Sequence, residues 1–266
     1  MTLNKKNINF YRTEGVVLLK NIISKEWLKK LEKGIEKNFK EPSKYKCVYE
    51  KKGNKELFYD DYCNWQRINQ YKDFLFNSEI ANIASELMNS NKVNIFHEHV
   101  LIKESGAKKT TPWHQDQSYY CVEGHQNVSF WIPLDQIKKS NSPEFIAKSH
   151  RWTQNFLPTK FFGNDYEHID KNFEKIPDIE NNREKYNIVS YELNPGDLIA
   201  FNFATVHGAP GNKSLVRRRA FSARFTGDDA RYIKREGEMS PPFPGLTLKN
   251  GDIMDCETFP LVKNIT

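Results

Sequence analysis

The sequence predicts a mainly β fold with flanking helices, of the sandwich or jelly-roll kind. Three observations predict it. From about Val93 onward the chain leaves a helix-like period for short, β-branched runs. Turn signals separate those runs, and Asn194-Pro195-Gly196-Asp197 is the clearest: proline presets its own dihedral and glycine accepts positive φ. Finally, 18 Phe, 12 Tyr and 5 Trp supply enough apolar bulk for a packed core despite 28% charged residues.

The elements follow in chain order. Gly15–Leu19 is a short strand-like run. Ser24 precedes a helix in which Trp27, Leu28, Leu31, Ile35 and Phe39 share one face, Glu26 sits in the first turn, and Pro42 ends the pattern. Lys51–Asn54 reads as a turn or hairpin tip. A second helix starts after Asn77 or Ser78 on a stripe of Ile80, Ile83, Ala84, Leu87 and Met88. Strands are expected at Val93–Ile102, Val128–Leu134, Ile188–Leu193, Leu198–Phe203 and Arg219–Thr226. The chain reads as a single domain over 1–266. Its helical part covers about 1–92, its β core about 93–230, and an extended tail 231–266. The polar stretch 153–187 is an insertion, of the kind that serves as a lid.

Composition excludes several classes. No apolar run is long enough to span a bilayer, and the N-terminus lacks a signal core, so a cytoplasmic protein without membrane association is expected. Four scattered cysteines exclude a disulfide scaffold and a cysteine-based zinc site. The net charge of +6 is dispersed and calls for no nucleic acid. A small-molecule substrate and a monomer or homodimer fit this balance.

Trp113-His114-Gln115-Asp116 is the strongest chemical signal. On a strand, positions i and i+2 share a face, so an imidazole and a carboxylate can address one point. Two histidines and one carboxylate make the facial set of non-haem Fe(II) oxygenases. The tripeptide alone is weak, because His168-Ile169-Asp170 and His97-Glu98-His99 repeat similar patterns. His168 lies in the charged insertion and reads as solvated; His97 and His99 read as packed strand histidines. His207 is expected to close a strand, with Gly208 allowing close approach of the backbone to a ligand. Arg217-Arg218-Arg219 then enters a strand, with Arg218 on one face and its neighbours on the other. A buried arginine there can grip a carboxylate in bidentate fashion.

In this combination and order, the chain resembles the phytanoyl-CoA dioxygenase family of Fe(II)/2-oxoglutarate oxygenases. The resemblance rests on Phe10–Val17, Trp113-His114-Gln115-Asp116, Val128–Asp135, Asn194-Pro195-Gly196-Asp197, and His207-Gly208 followed by Arg218 eleven positions later. It implies a double-stranded β-helix (jelly roll, cupin-like). It also implies His114, Asp116 and His207 as iron ligands, Arg218 as the anchor of the distal carboxylate of 2-oxoglutarate, and Trp131 as a pocket-lining residue. A Gly-Ser-His segment is common in the family; here it reads Ala147-Lys148-Ser149-His150, and His150 is expected to be structural or to support the ligands.

The resemblance further implies that O2, Fe(II) and 2-oxoglutarate hydroxylate an aliphatic C–H and release succinate and CO2. Asp116 favours hydroxylation over halogenation, which needs that ligand missing. A small polar metabolite is the expected substrate. Lys103, Arg217, Arg219, Arg224 and Arg231 can hold an acidic one, and Trp113, Tyr119 and Tyr120 can wall an ammonium group. The alternatives are an acyl-CoA hydroxylase, a cupin-like enzyme independent of 2-oxoglutarate, and a non-catalytic jelly-roll binding protein.

Overall fold

In the computed structural model, which describes residues 3–157, 160–161 and 173–264, the chain opens on helix α1 (Lys5–Glu14). Asn4 caps it by accepting from the Asn7 amide, and Gly15, in left-handed backbone at φ 77°, ends it. Strand β1 (Val16–Leu19) leads into α2 (Lys25–Lys40), where Ser24 is the N-cap and Leu31 and Ile35 lie on the buried side. A hairpin of β2 (Cys47–Lys52) and β3 (Lys55–Tyr62) follows, then α3 (Asn69–Asn77) and α4 (Ile80–Met88). The remaining strands are β4 (Lys92–Lys103), β5 (Thr111–His114), β6 (Val122–Glu123), β7 (Asn127–Pro133), β8 (Glu144–Ile146) and β9 (Ile188–Val189). They continue with β10 (Leu198–Phe201), β11 (His207–Ala209), β12 (Arg218–Thr226), β13 (Arg231–Tyr232) and β14 (Leu261–Asn264).

Two antiparallel sheets form the jelly roll. The large one runs β1-β10-β7-β12-β4-β3-β2, and β14 pairs with the part of β4 that β3 leaves free. The small one runs β5-β11-β8-β9. Phe145 of the small sheet packs with Trp131, Ile199 and Phe201 of the large sheet, which ties the two layers together. The first ninety residues therefore contribute three strands to the large sheet as well as helices, and the tail contributes a fourth.

Alternation along β12 sorts its side chains. Phe221, Ala223 and Phe225 face the helices, and Phe221 lies 4.8 Å from Tyr71 and 5.7 Å from Phe74 between ring centroids. Burying each such aromatic contributes about 2–3 kcal/mol. The alternate residues Arg218, Ser222 and Arg224 line the space between the sheets. The apolar half of the strand thus fixes which way its polar half points. Among the described residues, no helix is long and apolar enough to cross a membrane.

Candidate active site

The cavity between the sheets draws its polar side chains from both layers. His114 ends β5 and His207 begins β11, and the two strands pair with these residues in register. Asp116 lies just beyond β5, in a 3-10 turn over Asp116–Ser118 reached through the extended backbone of Gln115. His114, Asp116 and His207 each offer a ligand atom, and those atoms all lie within 4.8 Å of one another. Two sequence expectations change in detail. Asp116 is presented by a turn rather than by the strand itself, and His207 opens its strand rather than closing it. Gly208 lines the cavity, and its missing side chain also serves packing: a Cβ there would stand 3.1 Å from the Thr111 carbonyl oxygen and 3.3 Å from the Trp113 ring.

The donor atoms fit a metal. His114 Nδ1 lies 2.8 Å from the Pro112 carbonyl oxygen and His207 Nδ1 lies 2.9 Å from that of Thr205. A carbonyl only accepts, so each Nδ1 carries a proton, and Nε2 is the ring nitrogen of each histidine turned to a ligand. Burial and the neighbouring His114 push His207 down to about 3, so its ring is neutral. Burial favours a protonated Asp116, but Arg224 and the two histidines outweigh it and hold the carboxyl well below its usual range. Asp116 Oδ1 accepts from the Tyr119 hydroxyl at 2.5 Å, and Oδ2 stands 3.6 Å from Arg224 Nε and 3.5 Å from Ser129 Oγ.

Farther along the cavity, two buried cations stand together. Arg218 and Lys103 pair in register across β12 and β4, and both line the cavity. Arg218 donates to the carbonyl oxygens of Asn141 and Pro210, and Lys103 to those of Lys109 and Pro210. Neither forms an ion pair among the described residues. Trp131 completes this wall from β7.

The other basic residues part company. Arg219 faces the helices, bound to Asp135 at 2.8 Å and Glu32 at 2.8 Å. Arg217 pairs with Glu104 at 2.9 Å, and Arg231 donates to main-chain carbonyls. Arg224 and Lys103 are the two whose placement inside the cavity exceeded the sequence reading. His150 lies elsewhere, 3.3 Å from the Arg12 carbonyl oxygen. Trp113 points away, donating to Glu180 at 2.6 Å, whereas Tyr119 and Tyr120 line a second cavity beside the first. His97 and His99 are buried strand histidines, with His99 Nε2 2.8 Å from Asp60. His168 lies outside the described residues, as do 158–159 and the rest of 162–172 of the 153–187 insertion; Phe161 from that stretch lines both cavities.

Two imidazoles and a carboxylate gathered in a buried jelly-roll cavity match the ligand set of one class of protein, the non-haem iron oxygenases. The model of the phytanoyl-CoA dioxygenase family matches residues 11–220, and the chain belongs to that family, whose enzymes depend on iron and 2-oxoglutarate. A probable phytanoyl-CoA dioxygenase of Caenorhabditis elegans is 22% identical over 88% of this chain and 79% of its own length. Among solved structures, the non-heme alpha ketoglutarate dependent carbocyclase SnoK from nogalamycin biosynthesis superposes with a TM-score of 0.79 at 20% identity, covering 98% of this chain and 97% of that one. EctD from S. alaskensis, solved with 2-oxoglutarate and 5-hydroxyectoine, gives 0.70 at 17% identity over 94% of this chain and 85% of its own. Likeness at such identities speaks for the fold.

Proposed function

We propose that this oxygenase hydroxylates an aliphatic C–H of a small polar metabolite, with release of succinate and CO2. One observation carries the reading: a largely buried two-histidine, one-carboxylate group shares its cavity with two buried cations that have no carboxylate partner among the described residues. In this reading His114, Asp116 and His207 hold the metal through Nε2, one carboxylate oxygen and Nε2. When bound, iron and 2-oxoglutarate supply the activation of O2.

The chain's own residues do the rest. Arg218 binds the distal carboxylate of 2-oxoglutarate, Lys103 adds a second positive charge, and Trp131 closes the pocket over the cosubstrate chain. The Nδ1–H bonds to Pro112 and Thr205 fix both imidazole planes. Tyr119 and Arg224 hold the two oxygens of Asp116. Phe145, Phe161 and Phe201 line the cavity and exclude water from the reacting centre.

Anaerobic titration of the metal-free protein with Fe(II) and 2-oxoglutarate tests this. A visible charge-transfer band is expected, lost in His114→Ala and weakened in Arg218→Ala. Iron binding without a band would favour a cupin-like enzyme. A band without succinate release under O2, across a metabolite panel, would favour a non-catalytic binding protein.

A further inference from the structure

A second cavity adjoins the one that holds the triad, and the two share His99, Tyr119 and Phe161 as lining. Tyr49, Tyr62 and Tyr120 extend its aromatic wall. Asp60 on β3 also lines it and is only 2% exposed. Asp60 Oδ2 accepts from the Tyr49 hydroxyl at 2.9 Å and lies 2.8 Å from His99 Nε2. Its other oxygen, Oδ1, is buried and has no hydrogen-bond partner among the described residues. A buried carboxylate oxygen without a hydrogen-bond donor is costly, and a cationic donor offsets that cost.

In the oxygenase reading Arg218 and Lys103 of the neighbouring cavity are taken up by 2-oxoglutarate, and the other described cations near this cavity are already engaged. Lys160 at the rim pairs with Glu238 at 2.7 Å, and Arg224, in the neighbouring cavity, is matched to Asp116 at 3.6 Å. Among the described lining residues, two carboxylates therefore face one ammonium. An anionic substrate would meet Asp60 with repulsion and, among the described lining residues of this cavity, find no unpaired cation. An ammonium would meet a carboxylate oxygen amid tyrosine faces, the surroundings that favour it most. Were His99 protonated, it would offset Asp60 through Oδ2 and still leave Oδ1 unpartnered.

We propose that the substrate is an amine, its ammonium bound by Asp60 among the tyrosine rings and its carbon skeleton directed toward the triad. This rests on the oxygenase reading above and narrows it to a cationic substrate, against an acyl-CoA. If Asp60 served only to orient His99, Oδ2 would suffice and cations would gain nothing.

The test uses three probes of one shape and different charge: benzylamine, benzyl alcohol and benzoate. Each is titrated into the anaerobic Fe(II)–2-oxoglutarate holoenzyme, with displacement of the visible band and heat of binding as readouts. Benzylamine should bind about tenfold more tightly than benzyl alcohol, with benzoate weakest. Asp60→Asn should bring amine and alcohol to within about twofold of each other, with the 2-oxoglutarate band unchanged. Benzoate binding as well as the amine, no probe binding at millimolar concentration, or a preference that survives Asp60→Asn would overturn the proposal. The wild-type ranking decides alone should the variant fail to fold. If the band itself never forms, the oxygenase reading fails, and calorimetry of benzylamine against benzyl alcohol on the metal-free protein still decides this one.

Discussion

Arg218 and Lys103 stand opposite each other on β12 and β4, both buried, and among the described residues each donates its hydrogen bonds only to main-chain carbonyls. Two like charges side by side in a low-dielectric cavity repel and resist desolvation. Burial, together with its arginine neighbour, pushes the Lys103 ammonium well below its usual range, and burial pushes Arg218 down to about 10. A carboxylate arriving between them relieves both costs. Arg218→Ala should raise the apparent KM for 2-oxoglutarate by about 100-fold or more, the loss expected when one partner of a buried charge pair is removed. Lys103→Met should raise it by about tenfold. Succinate formation at varied 2-oxoglutarate measures both, and an unchanged KM in Arg218→Ala would remove the anchor assignment.

The metal-free protein should lose stability in mild acid. The His207 ring takes up its proton at about 3 in the folded chain, against about 6.5 when unfolded. Between those values the unfolded state binds more protons, so stability falls as pH drops below about 6.5. This one group contributes up to about 1.4 kcal/mol per pH unit in that window. His97, also held well below its usual value by burial, adds to the slope. Urea midpoints at several pH values should show a shallower acid dependence in His207→Gln than in the wild type; parallel curves would contradict it.

The sequence made parts of this site legible because certain motifs are local. His114 and Asp116 lie two positions apart, and His207 and Arg218 stand in a recognisable order. Alternation separates Arg218 from Arg219, and the structure sends them to opposite sides of the sheet. Arg224 could have been found by the same count, since it lies six residues from Arg218 on the same face. Lys103 and Asp60 could not, because their places depend on which strands pair. Lys103 reaches Arg218 only through the β4–β12 register, and Asp60 reaches His99 only through β3–β4 pairing. The β2–β3 hairpin was legible only at its tip, since its strands are heavily charged. Helix α3 begins without a side-chain cap, and α1 buries only Tyr11, so neither carries a strong sequence signal.

Arg224 should matter more to the metal-free protein than to the loaded one. It is buried 3.6 Å from Asp116, and its Nε and Nη1 have no hydrogen-bond partner among the described residues, so the pairing is Coulombic. Removing it strands a buried carboxylate, at a cost of about 3–5 kcal/mol. In the proposed site a divalent cation on Asp116 would replace the lost charge. Thermal unfolding of Arg224→Met should therefore show a large drop for the metal-free protein and a much smaller one after anaerobic Fe(II) loading. Equal drops in both states would mean that Arg224 contributes packing rather than charge.

Lys148 occupies the place where the related Gly-Ser-His segment has its glycine, and its backbone has the left-handed conformation at φ 68°, ψ −1°. A side chain there costs about 1–2 kcal/mol relative to glycine. Glycine in turn costs about 0.5–1 kcal/mol through the extra freedom of the unfolded chain. Lys148 Nζ is 3.7 Å from Glu14, but its side chain is 61% exposed, so that pair adds little. The next residue supplies the reason the turn is kept: Ser149 Oγ donates to the Ile146 carbonyl oxygen at 2.7 Å and accepts from the Val206 amide at 2.8 Å, immediately before His207. Lys148→Gly should therefore raise stability by about 0.5–1 kcal/mol, with no change in the visible band of the Fe(II)–2-oxoglutarate complex. Chemical denaturation measures the shift. A loss of stability would mean that the lysine side chain contributes more than its backbone strain removes.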